Sequence, residues 1–278
     1  MTEQPHYQFL SSQEFTLPYI EFGSGPELLL AFHGFGRTSR DFLPFESLLG
    51  KQYTLIAFDF FYHGPHGLEP EDRLPPFTGA QLARMIEKLL WEKKKVRCSI
   101  IGYSQGGRIA LGQVHHLPHR IHELFIIAPD GLRNNKVRDF VGRTWIGHLL
   151  GRLFVQFPVL ITATLQILKI AGKLNTKQVN FYLHQTREKR DRYRIFHTWI
   201  MLCKYNVHRD LIRHYIFKRP IRLDMVMGKY DAIIPSKWAQ SFLKGFKGNF
   251  RLHLLECGHD VLQLKDEIAG IILENREK

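Results

Sequence analysis

The chain has 278 residues, 44% of them apolar, and a formal net charge of +13 at pH 7. That is enough apolar material for a sizeable core, and the length suits one large α/β domain or such a domain with an insert. Three scattered cysteines, Cys98, Cys203 and Cys257, exclude a disulfide framework and predict a reducing compartment, and no CxxC or Cys/His cluster suggests zinc.

Met1–His6 is not a basic start followed by an apolar stretch, so no signal peptide is visible and a cytoplasmic location is expected. The positive charge comes without a nucleic-acid motif, so nucleic acid is not an expected partner. Much of the excess lies between Arg133 and Arg222, densest at Arg187, Lys189, Arg190, Arg192 and Arg194.

Residues 15–22 alternate loosely and predict an edge strand, followed by a turn at Gly23-Ser24-Gly25-Pro26. Leu28–Phe32 is a short apolar run, as for a strand buried on both faces, and it ends in His33-Gly34-Phe35-Gly36. A helical stretch opens at Ser39–Asp41 and runs to about Leu49. Tyr53–Phe58 predicts a strand, ending in Asp59 and a loop with His63-Gly64-Pro65-His66-Gly67. A helix begins at Thr78, with Leu82, Met85, Ile86, Leu89 and Leu90 at helical spacing.

The apolar run 96–101 then stops at Gly102. Ser104 follows in Gly102-Tyr103-Ser104-Gln105-Gly106, and Arg108-Ile109-Ala110-Leu111 starts a helical pattern at once. Strand, sharp turn, serine and helix form a frame in which glycines leave room beside a nucleophile held in a strained conformation. Leu124–Ala128 is a further strand, stopped by Pro129-Asp130-Gly131. From 132 to 218 only helical segments appear. Strands return at Ile221–Met227 and Phe250–Leu255, with a helix near Ser236–Leu243 and a closing helix at about 261–275. Strands alternating with helices predict a mostly parallel, doubly wound sheet with helices on both faces. The core is then 1–131 and 219–278, and 132–218 is a helical cap inserted into it.

A serine hydroxyl needs a base, usually a histidine oriented by a carboxylate, and in this architecture the chain order is serine, acid, histidine. His259, in Cys257-Gly258-His259-Asp260, follows the last strand. Asp231, in Gly228-Lys229-Tyr230-Asp231, follows the strand before it. Asp130 is the rival acid, and Asp224 lies inside a strand pattern. An oxyanion needs preorganised N–H donors; Gln105 supplies one at a helix N-terminus, and Phe35, beside Gly34, supplies the other.

Together, His33-Gly34-Phe35-Gly36, the Ser104 elbow, Gly228-x-x-Asp231-x-x-x-Pro235 and Gly258-His259 resemble the α/β-hydrolase superfamily over about 15–275, apart from the middle block. Asp59-x-x-x-His63-Gly64 is similar to the loop after the next strand in that family, with Tyr62 where a glycine is usual. The resemblance implies an α/β-hydrolase fold and a triad of Ser104, Asp231 and His259. It also implies a helical cap at 132–218 that roofs the site and selects the substrate. Fold alone does not name a substrate.

The leading expectation is a serine hydrolase acting on a small-molecule carboxylic ester, thioester or lipid ester, without metal or organic cofactor. His33, Gly34, Tyr103 and Arg108 are candidate substrate-binding residues. A second reading is a lyase or carbon–carbon hydrolase, because the stretch 102–108 is similar to the elbow of the menaquinone-pathway lyase, where an arginine helps bind carboxylates. A third is a binding protein on this fold. The apolar stretch Leu149–Ala171 suggests a membrane span, but Gln156, Pro158, Gln166 and Lys169 interrupt it. It is expected to pack within the lid or, alternatively, to line an acyl pocket or touch an anionic membrane surface.

Overall fold

The computed structural model describes residues 6–66, 74–133 and 135–274. Gly67 and the expected end of the closing helix at 275 lie outside them. The strands are β1 (Tyr7–Ser11), β2 (Thr16–Phe22), β3 (Glu27–Phe32), β4 (Tyr53–Phe58), β5 (Cys98–Tyr103), β6 (Ile121–Ile127), β7 (Arg222–Gly228) and β8 (Phe250–Leu255). They form one sheet in the order β1-β2-β4-β3-β5-β6-β7-β8. β1–β2 and β2–β4 pair antiparallel, and every other neighbour is parallel.

The central strands are mostly apolar and buried because both faces are covered. On one face Leu29, Ala31, Ile101 and Phe125 pack with Phe42, Leu49 and Ile268; on the other, Leu28, Leu30 and Phe32 are equally buried. The helices are α1 (Glu46–Leu49), α2 (Gly79–Glu92), α3 (Gln105–Gln113), α4 (Lys136–Arg143), α5 (Trp145–Gln156), α6 (Pro158–Ile170), α7 (Thr176–Gln185), α8 (Lys189–Met201), α9 (Arg209–Lys218), α10 (Ser236–Leu243) and α11 (Lys265–Leu273).

Three expectations are corrected. The stretch 15–22 is not an edge strand, because β1 pairs along it from Tyr7↔Ile20 to Ser11↔Thr16. The helix expected from Ser39 to Leu49 is a 3-10 helix over Ser39–Phe45 before the single turn of α1, with Pro44 inside it. The closing helix likewise starts as a 3-10 turn, Val261–Gln263, before α11.

Two compact units emerge. The sheet unit takes Met1–Gly67, Gly79–Arg133 and Asn206–Lys278; the helical unit takes Leu68–Thr78 and Asn134–Tyr205. Residues 206–218, read above as part of the insertion, fall in the sheet unit with α9. The helical unit has a small core of its own, Val141, Val155 and Phe196, flanked by Tyr193, Trp199 and Ile200. Beside that core, Arg192 is buried and donates to the carbonyls of Val155 (2.9 Å), Thr186 (2.9 Å) and Arg187 (2.8 Å). No single described helix is long and apolar enough to cross a membrane.

Candidate active site

β5 runs straight into α3 with one residue between them. That residue, Ser104, has φ 50° and ψ −112°, outside the regions an L-residue prefers. Two backbone bonds hold it there. Its N–H donates to the Ile127 carbonyl (2.8 Å), and its carbonyl accepts from Asp130 N–H (2.9 Å). Close packing supplies the rest. A Cβ on Gly106 would lie 1.9 Å from the Phe32 carbonyl oxygen, so the start of α3 fits against β3 only because residue 106 has no side chain.

The hydroxyl meets the histidine expected for it. Ser104 Oγ lies 3.3 Å from His259 Nε2, and His259 Nδ1 lies 2.7 Å from Asp231 Oδ2. A carboxylate oxygen accepts, so Nδ1 carries the proton and donates a hydrogen bond to Asp231 Oδ2. Nε2 then turns a lone pair toward the serine. Asp231 is 5% exposed, and its other oxygen accepts from Ile233 N–H (2.7 Å) and Ile234 N–H (2.8 Å). These bonds fix the carboxylate plane.

The two other aspartates do not share this arrangement. Asp130 turns Oδ1 back to Gly131 N–H at 2.7 Å. Asp224 is fully buried on β7, 2.7 Å from His253 Nε2 and 2.5 Å from Arg222 Nε.

The loop after β3 comes to the same place because β3 and β5 are neighbours. A Cβ on Gly34 would lie 3.3 Å from Ser104 Cβ and 2.8 Å from the Tyr103 ring. Phe35 is half-buried, with its ring 5.2 Å from that of His63. Gln105 N–H is the first of α3 and has no intrahelical acceptor.

His33 is fully buried, and both its nitrogens serve the loop. Nε2 accepts from Phe60 N–H (3.0 Å), which leaves Nδ1 to donate to the Gly34 carbonyl (2.7 Å). Burial holds its pKa below the usual imidazole value, so it stays neutral.

Tyr103 is buried, and its hydroxyl donates to the His259 carbonyl at 3.1 Å. Burial pushes its pKa above the ordinary phenol value. Arg108 is 3% exposed on α3, with its stem beside Gly131. His33, Tyr103 and Arg108 are thus interior side chains. Reasoning from sequence missed a brace on the histidine loop: Arg37 pairs with both Asp41 and Asp260, and its guanidinium lies 5.3 Å from the Tyr103 ring centre. Asp260, directly after His259, was its one available signal.

Cys257, two residues from His259, is a poor rival nucleophile, because burial and then nearby carboxylates raise its thiol pKa. Elsewhere, ligand atoms of Glu27, His122 and Glu123 lie within 4.8 Å of one another. Glu123 there already accepts from Tyr53 and Ser99 hydroxyls, at 3.0 and 2.7 Å.

A sequence profile described as the alpha/beta hydrolase family matches residues 28–270. The chain belongs to the alpha/beta hydrolase family. Among curated relatives, the dihydrolipoyllysine-residue acetyltransferase component of an acetoin cleaving system from Cupriavidus necator is 29% identical over 125 residues. That match covers 45% of this chain and 32% of the relative, so the chain aligns with only about a third of that protein. An uncharacterized hydrolase of Bacillus subtilis, YugF, is 20% identical over 250 residues, 88% of each chain.

Among solved structures, an alpha/beta hydrolase from a Medee basin deep-sea metagenome library superposes with a TM-score of 0.68 at 16% identity, covering 98% of both chains. A thermophilic esterase from Thermogutta terrifontis gives 0.67 at 13% identity, covering 98% of this chain and 97% of that one. At such identities the likeness is one of fold.

Proposed function

We propose that this alpha/beta hydrolase is a serine hydrolase that cleaves carboxylic esters through an acyl-enzyme. The reading rests on one observation, the hydrogen-bonded line from Ser104 Oγ through the His259 ring to Asp231. Ser104 Oγ attacks the ester carbonyl as His259 Nε2 takes its proton. The tetrahedral oxyanion is met by the N–H groups of Gln105 and Phe35. His259 returns the proton to the departing alcohol. Water, deprotonated by the same nitrogen, attacks the acyl-serine and releases the acid. Asp231 stabilises the imidazolium that forms twice in this cycle. Thioesters and lipid esters present the same carbonyl to the same groups.

The test is labelling with a fluorophosphonate probe beside turnover of p-nitrophenyl esters of graded chain length. Wild type is expected to label and to turn over. Ser104→Ala is expected to lose the label and about 10⁶-fold in kcat. An unlabelled wild-type protein overturns the assignment of the nucleophile. The lyase reading calls for Arg108 to meet a substrate carboxylate, and at 3% exposure that guanidinium favours it less.

A further inference from the structure

A helix on a protein surface normally turns its apolar side chains inward. The helical unit reverses this over two consecutive helices. On α5 the buried positions are Gly147, Gly151 and Val155, spaced one turn apart. Trp145, Ile146, Leu149, Leu150 and Leu153 stand outward, and Trp145 is 75% exposed. α6 buries Leu165 alone, leaving Val159 68%, Ile167 65% and Ile170 86% exposed. Among the described residues, Val141, Val155 and Phe196 form a small buried cluster of this unit, and large apolar side chains of α5 and α6 that could enlarge it face water instead.

Charge follows the same stretch. From 140 to 187 the chain has no aspartate or glutamate, but it has Arg143, Arg152, Lys169, Lys173, Lys177 and Arg187. Arg152, Lys169, Lys173 and Lys177 are exposed. A surface complementary to it is therefore both anionic and apolar. α5 and α6 meet the length and composition of a span only as a pair, bent by 106°. A helix pair so bent does not fill one straight groove, but it can rest on a plane. Exposed leucine and isoleucine, a tryptophan and a fringe of cations suit the boundary between lipid headgroups and acyl chains.

We propose that α5 and α6 seat this protein on an anionic lipid surface. Their apolar side chains enter the interface, and Arg152, Lys169, Lys173 and Lys177 meet lipid phosphates. The proposal stands apart from the chemistry of Ser104.

The experiment mixes the purified full-length chain with phosphatidylcholine vesicles carrying about 30% phosphatidylserine, and separately with phosphatidylcholine alone. Cosedimentation is expected with the anionic vesicles and is expected to weaken with salt. Tryptophan emission is expected to shift to the blue on binding, and Trp145→Phe to remove most of the shift. Lys169→Gln with Lys173→Gln is expected to bind about 30-fold more weakly, from about fivefold per cation. Ile167→Ser with Ile170→Ser is expected to lose the blue shift and the binding together.

Equal binding to both vesicle types overturns the proposal, and so does binding to neither. A lipid-free dimer that Ile167→Ser with Ile170→Ser dissolves also overturns it, since a second copy would then cover the face.

Discussion

At the scale of the residue, the two oxygens of Asp231 have separate tasks. One is held by Ile233 and Ile234 N–H, and the other faces His259 Nδ1. Asparagine keeps the shape but offers an NH₂ group to one of those partners, and it favours the wrong imidazole tautomer. Asp231→Asn is therefore expected to lower kcat on p-nitrophenyl esters by about 10⁴-fold while the protein stays folded, read by circular dichroism.

Gly34 sets a second limit. An alanine methyl there meets the Tyr103 ring at 2.8 Å and Ser104 Cβ at 3.3 Å, so the loop that carries Phe35 has to shift. Gly34→Ala is expected to cost about 10²-fold in kcat, since misplacement of about 1 Å carries that penalty. An unchanged rate would remove Phe35 N–H from the oxyanion site. Ser104, His259 and Asp231 were legible because each follows a strand in the order the chemistry needs. The brace formed by Tyr103, Arg37 and Asp260 was not, because a hydroxyl reaching a carbonyl 156 residues away leaves no local pattern.

At the scale of the element, Arg192 ties two helix ends together. Its donors meet carbonyls at the ends of α5 and α7, where intrahelical partners run out and positive charge is favoured. Arg192→Met keeps the stem and leaves those carbonyls without their donors. The expected loss is about 3 kcal/mol or more of local stability, at about 1 kcal/mol or above per bond. Faster limited proteolysis within 135–205 would report it, and a cleavage rate equal to wild type would count against it.

The elements were mostly readable from pattern, and the misses have physical causes. β1 is an edge strand with Leu10 as its one buried residue, so Tyr7–Ser11 carries no alternation. For α5 and α6 the sequence left packing within the lid and an outward apolar face both open. An apolar run says that side chains avoid water, but not which surface they avoid it with.

At the scale of the whole molecule, the strand order brings the loops after β3, β5, β7 and β8 to one end of the parallel part of the sheet. A cluster of His115, His116 and His208 lies in the same unit, with the first two rings 3.9 Å apart and His208 5.2 Å from His115. Burial first, then the two neighbouring rings, pushes the His115 pKa down to about 4. Burial and His208 lower that of His116.

An unfolded chain protonates such rings near pH 6.5, so between there and about pH 4 the unfolded state binds more protons. Stability is expected to fall as pH falls through that window. His115→Gln is expected to flatten the decline, read as urea midpoints at neutral and acid pH. A midpoint in wild type that holds steady over the window would show that the cluster does not couple to folding.

The nucleophile precedes its base by 155 residues. A ribosome therefore makes Ser104 long before the His259 imidazole, and β5 cannot meet its second neighbour until β6 has followed. For most of its synthesis the growing polypeptide holds Ser104 without its hydrogen-bond partner. That partner arrives just after β8, the strand that completes one edge of the sheet.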